Sequence, residues 1–398
     1  MMLTTEEVAG RLGVKVDTVY AYVSRGVLHP RRDGGTRRSL FNAGEVEAVA
    51  RRGRPRRGSR PMVLDLVVES GLTTIGDRGF RYRGRDVLIL ARTQSFEQVA
   101  HWLWTGQEPE RCAPWPAYPI TVPDLPQARD RLRAAVVLSS AAEPFRGDLA
   151  PSAVMGAARS LIASMVTAVS PSGHRSRAAR LSLGRAAPLR DTIAGRLLAR
   201  LGAGRPVPAL VTTLNAALVA ITDHELAPAT LAARVAASVR ADPFSVVLAG
   251  LGPMSGPLHG GASTLVHEMI ADAMARGPHA AVSAAVHRHG SLPGFGHRLY
   301  PDGDPRAKLL LGMIRAARDD SRAVAAAQQL LHAARRHSGS APNVDFALAT
   351  LAAAAGMPAG AGETIFTIAR TAGWIAHAIE EYAEPPVRFR ARAVTRRG

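Results

Sequence analysis

From residue 62 onward the chain runs in long alanine- and leucine-rich stretches at helical spacing, broken by short glycine and proline interruptions. No strand–helix–strand rhythm and no internal repeat interrupts this texture, which predicts a mainly α-helical body. With 398 residues, 47% of them hydrophobic, the chain can bury a sizeable core and has room for two or three domains. No apolar run approaches the roughly 20 residues that span a bilayer, and the amino terminus lacks a charged segment followed by a hydrophobic one. The expectation is a soluble cytoplasmic protein with no membrane partner. Cys112 is the single cysteine, so neither an internal disulfide nor a structural metal site is expected. "GLGPMSG" has the wrong spacing for a dinucleotide loop, and no strand pattern precedes it.

The first 60 residues are different. Of the net charge of +18, almost all is arginine, since Lys15 and Lys308 are the only lysines. Residues 1 to 60 hold 13 basic side chains against six acidic ones. Thr4 and Glu7 stand at capping-box spacing ahead of Val8 and Leu12 on one helical face, and Gly13 ends that helix. Val16, Val19, Tyr20 and Val23 form a second amphipathic stripe, which Gly26 closes. Two short helices around a glycine-containing turn make a helix-turn-helix. "HPRRDGGTRRSLFN" then reads as a hairpin with Asp33-Gly34-Gly35 at its tip and arginines on both arms. This stretch resembles the winged helix-turn-helix domains of MerR-type regulators. The resemblance implies a partner in double-stranded DNA, with the second helix in the major groove and Arg31, Arg32, Arg37 and Arg38 of the wing near phosphates. The domain is expected over residues 1–52, followed by a basic linker over 53–61 drawn from "RRGRPRRGSR".

In the helical body the polar interruptions come in a fixed series: "TDHE" (222–225), "GPLHGG" (256–261), "PGFGHRLYPDGDPRA" (293–307), "PNVDFAL" (342–348), "ARTAGWIAHAIEE" (369–381) and "RFR" (388–390). Together with "GDRGFRYRGRDV" near the start of the body, this series closely resembles citrate synthases over essentially all of residues 62–398. The resemblance implies a citrate synthase fold, with a large helical domain over 62–261 and 353–398 and an inserted small helical domain over 262–352. It matches His259, His297 and Asp345 to the family's catalytic trio. It matches His224, His297, Arg306, Arg370 and Arg388 to the positions that hold oxaloacetate, and Pro293, Gly294, Phe295 and Gly296 to the coenzyme A loop. The arginine matching Arg388 crosses from a second subunit in the family, so a homodimer is expected. His377, two helical turns from Arg370 on the same face, reads as structural.

These residue types suit the chemistry. A proton beside a thioester carbonyl is removed only if the enol or enolate is stabilised as it forms. Asp345 is the expected base. His259, at a helix start whose dipole keeps the imidazole neutral, directs an N–H at the thioester oxygen. His297 polarises the ketone, and planar guanidinium groups grip the two carboxylates. Acetyl-CoA or propionyl-CoA enters as a substrate, and no cofactor is expected. Four departures from the usual pattern bear on the choice of acyl or keto acid: Ile221 where a histidine is common, "LAPAT" after "DHE", "GGAST" for "GGANE" and "RFR" for "RPR". A DNA-binding regulator that uses the synthase domain as a metabolite sensor is the alternative reading.

Overall fold

The structure, a computed structural model, describes residues 2–12, 14, 16–24, 27–32, 39–51, 67–76, 79–109, 112–170, 189–202, 207–256 and 260–390. The chain forms two compact units, Met1–Glu69 and Ser70–Gly398.

The first unit contains β1 (Met2–Thr4), α1 (Thr5–Leu12), α2 (Val16–Ser24), β2 (Arg31–Arg32), β3 (Ser39–Asn42) and α3 (Ala43–Arg51). The capping box is formed: the Thr4 N–H donates to Glu7 Oε2 (2.7 Å) and the Glu7 N–H to Thr4 Oγ1 (3.3 Å). In α2 the buried stripe differs from the expected one. Val19 is fully buried with Tyr22 and Val23 packed beside it, whereas Val16 and Tyr20 face outward, Tyr20 at 56% exposure. The spacing i, i+3, i+4 from Val19 selects Tyr22 over Tyr20. The two arms of the wing pair antiparallel, Arg31 opposite Leu40 and Arg32 opposite Ser39, and β1 joins the far side of β3 to give the order β1-β3-β2. Leu3, Val8, Val19, Leu28, Phe41 and Val46 close a small core. Gly13, Gly26, Arg37, Arg38, the hairpin tip and the linker lie outside the described residues.

The second unit opens with an antiparallel meander, β4 (Thr73–Gly76), β5 (Gly79–Tyr82) and β6 (Arg85–Asp86). "GFRYRGRDV" supplies β5 and β6, and Asp86 caps the next helix by accepting from the N–H groups of Leu88 and Ile89. The helices that follow are α4 (Val87–Thr93), α5 (Phe96–Thr105), α6 (Ala128–Ala142), α7 (Pro151–Ala168), α8 (Ile193–Arg200), α9 (Pro208–Ile221), α10 (Pro228–Ser238), α11 (Pro243–Met254), α12 (Ala262–Arg276), α13 (Pro278–His289), α14 (Pro305–Ala317), α15 (Arg322–Ser338), α16 (Val344–Ala354) and α17 (Ala361–Tyr382). The mainly α-helical expectation holds. Among the described residues no helix is long and apolar enough to cross a membrane, and Cys112 is an exposed free thiol.

Two helices, α9 and α17, are buried on nearly every side and run through the main core. They can meet closely because of Gly373. A Cβ at that position would overlap the carbonyl oxygen of Thr222, so α17 lies directly on the turn that ends α9. That turn carries Asp223 and His224. A second core, with Val266, Ile270, Val282, Leu330 and Phe346 among its members, is enclosed by α12, α13, α15 and α16. α14 lies within the 262–352 span yet buries Ala307, Leu310 and Ile314 in the main core against α9. The stretch between α13 and α16 therefore bridges the two cores.

Candidate active site

The site is assembled from helix ends. Asp304 caps α14, accepting the Arg306 N–H at 3.0 Å, with Pro305 in the first turn. The same buried carboxylate takes the Arg306 guanidinium through two hydrogen bonds of 2.9 and 2.8 Å, and accepts the N–H of Val344, the first residue of α16, at 3.0 Å. One aspartate thus fixes the start of two helices and the direction of one arginine. Asn343 caps α16, accepting from the N–H groups of Asp345 (3.0 Å) and Phe346 (3.4 Å), and donates through Nδ2 to the Gly296 carbonyl (3.0 Å). Main-chain bonds from Asn343 to Gly294 (2.9 Å) and from Gly296 to Ala341 (2.8 Å) lace the Pro293–Gly296 loop to this helix start. Phe295 turns its side chain inward, edge-on to Phe346 at 5.0 Å.

His224, His297, Arg306, Asp345 and Arg370 converge on one cleft of about 230 Å³, which Gly260 and Gly261 also line. His297 Nδ1 accepts the Leu299 N–H at 3.1 Å, so in the neutral ring Nε2 carries the proton. Arg306 Nη2 lies 3.4 Å from that Nε2. Two donors therefore face one space with no acceptor between them, an arrangement suited to an anionic or carbonyl oxygen. The His224 and His297 rings meet edge to face at 5.3 Å, and His224 Nε2 is 3.0 Å from the Tyr300 hydroxyl. Burial, reinforced by the positive charge of Arg306, holds both imidazoles below the ordinary histidine range. They act as neutral rings. Burial pushes the Asp345 carboxyl the opposite way, up to about 6, with Arg306 opposing the rise and Asp304 adding to it.

Arg370 is 3% exposed, its guanidinium 4.9 Å over the Phe366 ring. Among the described residues its Nε and Nη1 have no hydrogen-bond partner, and Asp223 Oδ1, at 3.7 Å from Nη1, is too far to be one. A buried guanidinium with unused donors is costly unless an anion fills the space before it.

His259 lies outside the described residues; Gly260, the next residue, lines the cleft. A Cβ on Gly260 would overlap the Met254 carbonyl oxygen, so only glycine lets the backbone at this position lie against the end of α11. Arg388 does not line the cleft of its own chain. Its Nε and Nη2 each donate to Glu381 at 2.7 Å. Tyr300, Asp304 and Asp223 sit against the site without having been singled out from the sequence, although all three lie inside or beside the polar series; their signal was adjacency to Arg306 and His224. Among the described residues no group of three His, Cys, Asp or Glu side chains is placed to hold a metal ion.

Comparison with known proteins follows the same division of the chain. Residues 2–54 match the model of the helix-turn-helix domain family, and residues 64–392 match that of the citrate synthase C-terminal domain. Citrate synthase of Haloferax volcanii is 32% identical over 367 residues, covering 82% of this chain and 93% of that protein. A 2-methylcitrate synthase of Mycobacterium tuberculosis is 29% identical over 325 residues, 75% of this chain and 80% of that protein. The solved ternary complex of carboxymethyl coenzyme A and oxaloacetate with citrate synthase from Thermoplasma acidophilum superposes with a TM-score of 0.67 at 22% identity, covering 84% of this chain and 94% of that one. The helical architecture is thus that of citrate synthases, and because the family match extends over most of the chain, including every segment that builds the cleft, this protein belongs to the citrate synthase family.

Proposed function

We propose that the protein condenses an acyl-CoA thioester, acetyl or propionyl, with oxaloacetate to give citrate or 2-methylcitrate and free coenzyme A. The observation that carries this reading is the convergence of five functional side chains on one cleft, with two buried donors of Arg370 lacking a hydrogen-bond partner among the described residues. Arg306 and Arg370 hold the carboxylates of oxaloacetate. His224 lies beside them, and His297 Nε2–H polarises and then protonates the ketone. Asp345, poised at about 6, removes the proton next to the thioester carbonyl. His259 donates to the thioester oxygen as the enol forms. The α-carbon of that enol attacks the ketone carbon, whose oxygen takes the proton from His297, and water cleaves the resulting thioester to release free coenzyme A. The main chain of Pro293–Gly296, laced to the helix that bears Asp345, is the contact surface for coenzyme A. Arg388 serves the cleft of a second copy in a homodimer. Domain limits follow the family, with 262–352 as the smaller domain closing on the larger.

The test is thiol release by the full chain with oxaloacetate and either thioester. Release with acetyl-CoA or propionyl-CoA in excess of a no-oxaloacetate control is the expected result. Absence of release, combined with oxaloacetate-dependent duplex binding, would transfer the assignment to a metabolite-sensing regulator. The helix-turn-helix unit is proposed to bind double-stranded DNA in either case, its outward Tyr20 on α2 and the arginines of β2 being consistent with that role.

A further inference from the structure

Behind Arg370 lies a buried polar chain that the condensation itself does not use. Asp223 is fully buried, and its Oδ1 faces Arg370 Nη1 at 3.7 Å. That separation lets the carboxylate balance the arginine's charge while leaving the guanidinium donors unoccupied. An aspartate so close to a buried guanidinium would ordinarily close into a bidentate pair. Two other groups pull it away. Thr73 donates its hydroxyl to Oδ2, and His377 Nε2 lies 3.2 Å from Oδ1.

The direction of the His377 bond is set by its other nitrogen. Arg234 Nη1 stands 2.9 Å from His377 Nδ1, and a guanidinium can only donate, so Nδ1 accepts and Nε2–H donates to Asp223. Arg234 is itself immobile: it donates to Glu381 through Nε (2.9 Å) and to Glu380 through Nη1 (2.6 Å). The Tyr82 hydroxyl pins the main chain of Asp223, accepting its N–H at 3.0 Å and lying 2.9 Å from its carbonyl. His377 and Arg370 share α17, two turns apart, so one rigid helix carries both the arginine and the group that restrains its counter-ion.

We propose that His377 is a positioning residue for oxaloacetate binding: held by Arg234, it keeps Asp223 off Arg370 so that the substrate carboxylate, not Asp223, takes the guanidinium. Loss of the His377 or Thr73 bond frees Asp223 to close on Arg370 and compete with substrate. The inference rests on the proposed oxaloacetate site.

The experiment measures oxaloacetate binding to the full chain by calorimetry, alongside steady-state kinetics for both substrates. His377→Ala is expected to weaken oxaloacetate binding at least tenfold, with the thioester KM and kcat at saturation within threefold of wild type. His377→Gln, whose amide can accept from Arg234 and donate to Asp223, is expected to stay within threefold throughout. Thr73→Val is expected to weaken oxaloacetate binding at least threefold. A folded His377→Ala protein with unchanged oxaloacetate affinity overturns the proposal, as does His377→Gln being as impaired as alanine, or a parallel rise in the thioester KM. If His377→Ala does not fold, Thr73→Val decides, and unchanged affinity there overturns it. Wild-type protein that binds oxaloacetate without turnover refutes the condensation while leaving this binding comparison intact.

Discussion

Replacing Asp345 by asparagine should abolish turnover and stabilise the fold at the same time. The carboxyl is raised from 3.8 to about 6 by burial, so its ionised form is held in the folded state against a penalty. At about 1.4 kcal/mol per pH unit this rise corresponds to about 3 kcal/mol above pH 6. The sign is the reverse of an ordinary ion-paired aspartate. Below about pH 4 both folded and unfolded states are protonated and there is no cost. As pH rises, the unfolded chain gives up its proton first, stability falls, and the cost is complete once pH passes the folded value. The α16 cap survives the substitution, because Asn343 accepts the main-chain N–H of residue 345 and not its side chain. For a body of this size about 3 kcal/mol amounts to about 4 °C in Tm. Melts of both proteins at one scan rate should therefore show Asp345→Asn higher by a few degrees at pH 7.5, by about half as much at pH 5, and level near pH 4. An equal or lower Tm at pH 7.5, or a gap that does not depend on pH, would refute the reasoning that this carboxyl is kept strained for proton transfer.

Other outcomes follow from the same geometry. The wild-type pH profile of kcat/KM should lose activity as pH falls through about 6, where Asp345 gains its proton, and an acid limb below 5 would remove it as the base. Arg370→Met should raise the oxaloacetate KM at least about thirtyfold, since losing one member of a buried charged contact costs about 2–5 kcal/mol, while the thioester KM stays unchanged; steady-state kinetics check this. Gly373→Ala should lower Tm and weaken oxaloacetate binding together, because the added methyl collides with the turn that holds Asp223 and His224, an overpacking cost of about 1–3 kcal/mol; a melt and a calorimetric titration would reveal whether either is spared. Converting Arg31, Arg32, Arg37 and Arg38 to alanine should weaken duplex binding and flatten its salt dependence with thiol release unchanged, as read by mobility-shift titrations at two salt concentrations.

How much of this was legible in the sequence depended on whether local chemistry alone decides the outcome. The helical texture of residues 62 onward, the Thr4–Glu7 capping box and the paired arms of the wing are short-range features, set by spacing and side-chain type, and the fold reproduces them. The polar series, through its resemblance to citrate synthases, named His224, His297, Arg306, Asp345 and Arg370 before any geometry was known, and the fold brings all five to one cleft. The inward stripe of α2 differs from the sequence expectation at Val16 and Tyr20 because both faces of that helix carry apolar residues, and only packing against Leu28, Phe41 and Val46 chooses between them. What holds the site open belongs to the tertiary structure. Asp223 and His377 lie 154 positions apart in the chain, and Thr73 is 150 from Asp223. No periodicity links such distant residues. Their meeting is decided by Gly373, which lets α17 lie on the end of α9, and by a core dense enough that a buried aspartate must satisfy its oxygens with whichever donors the packed helices present.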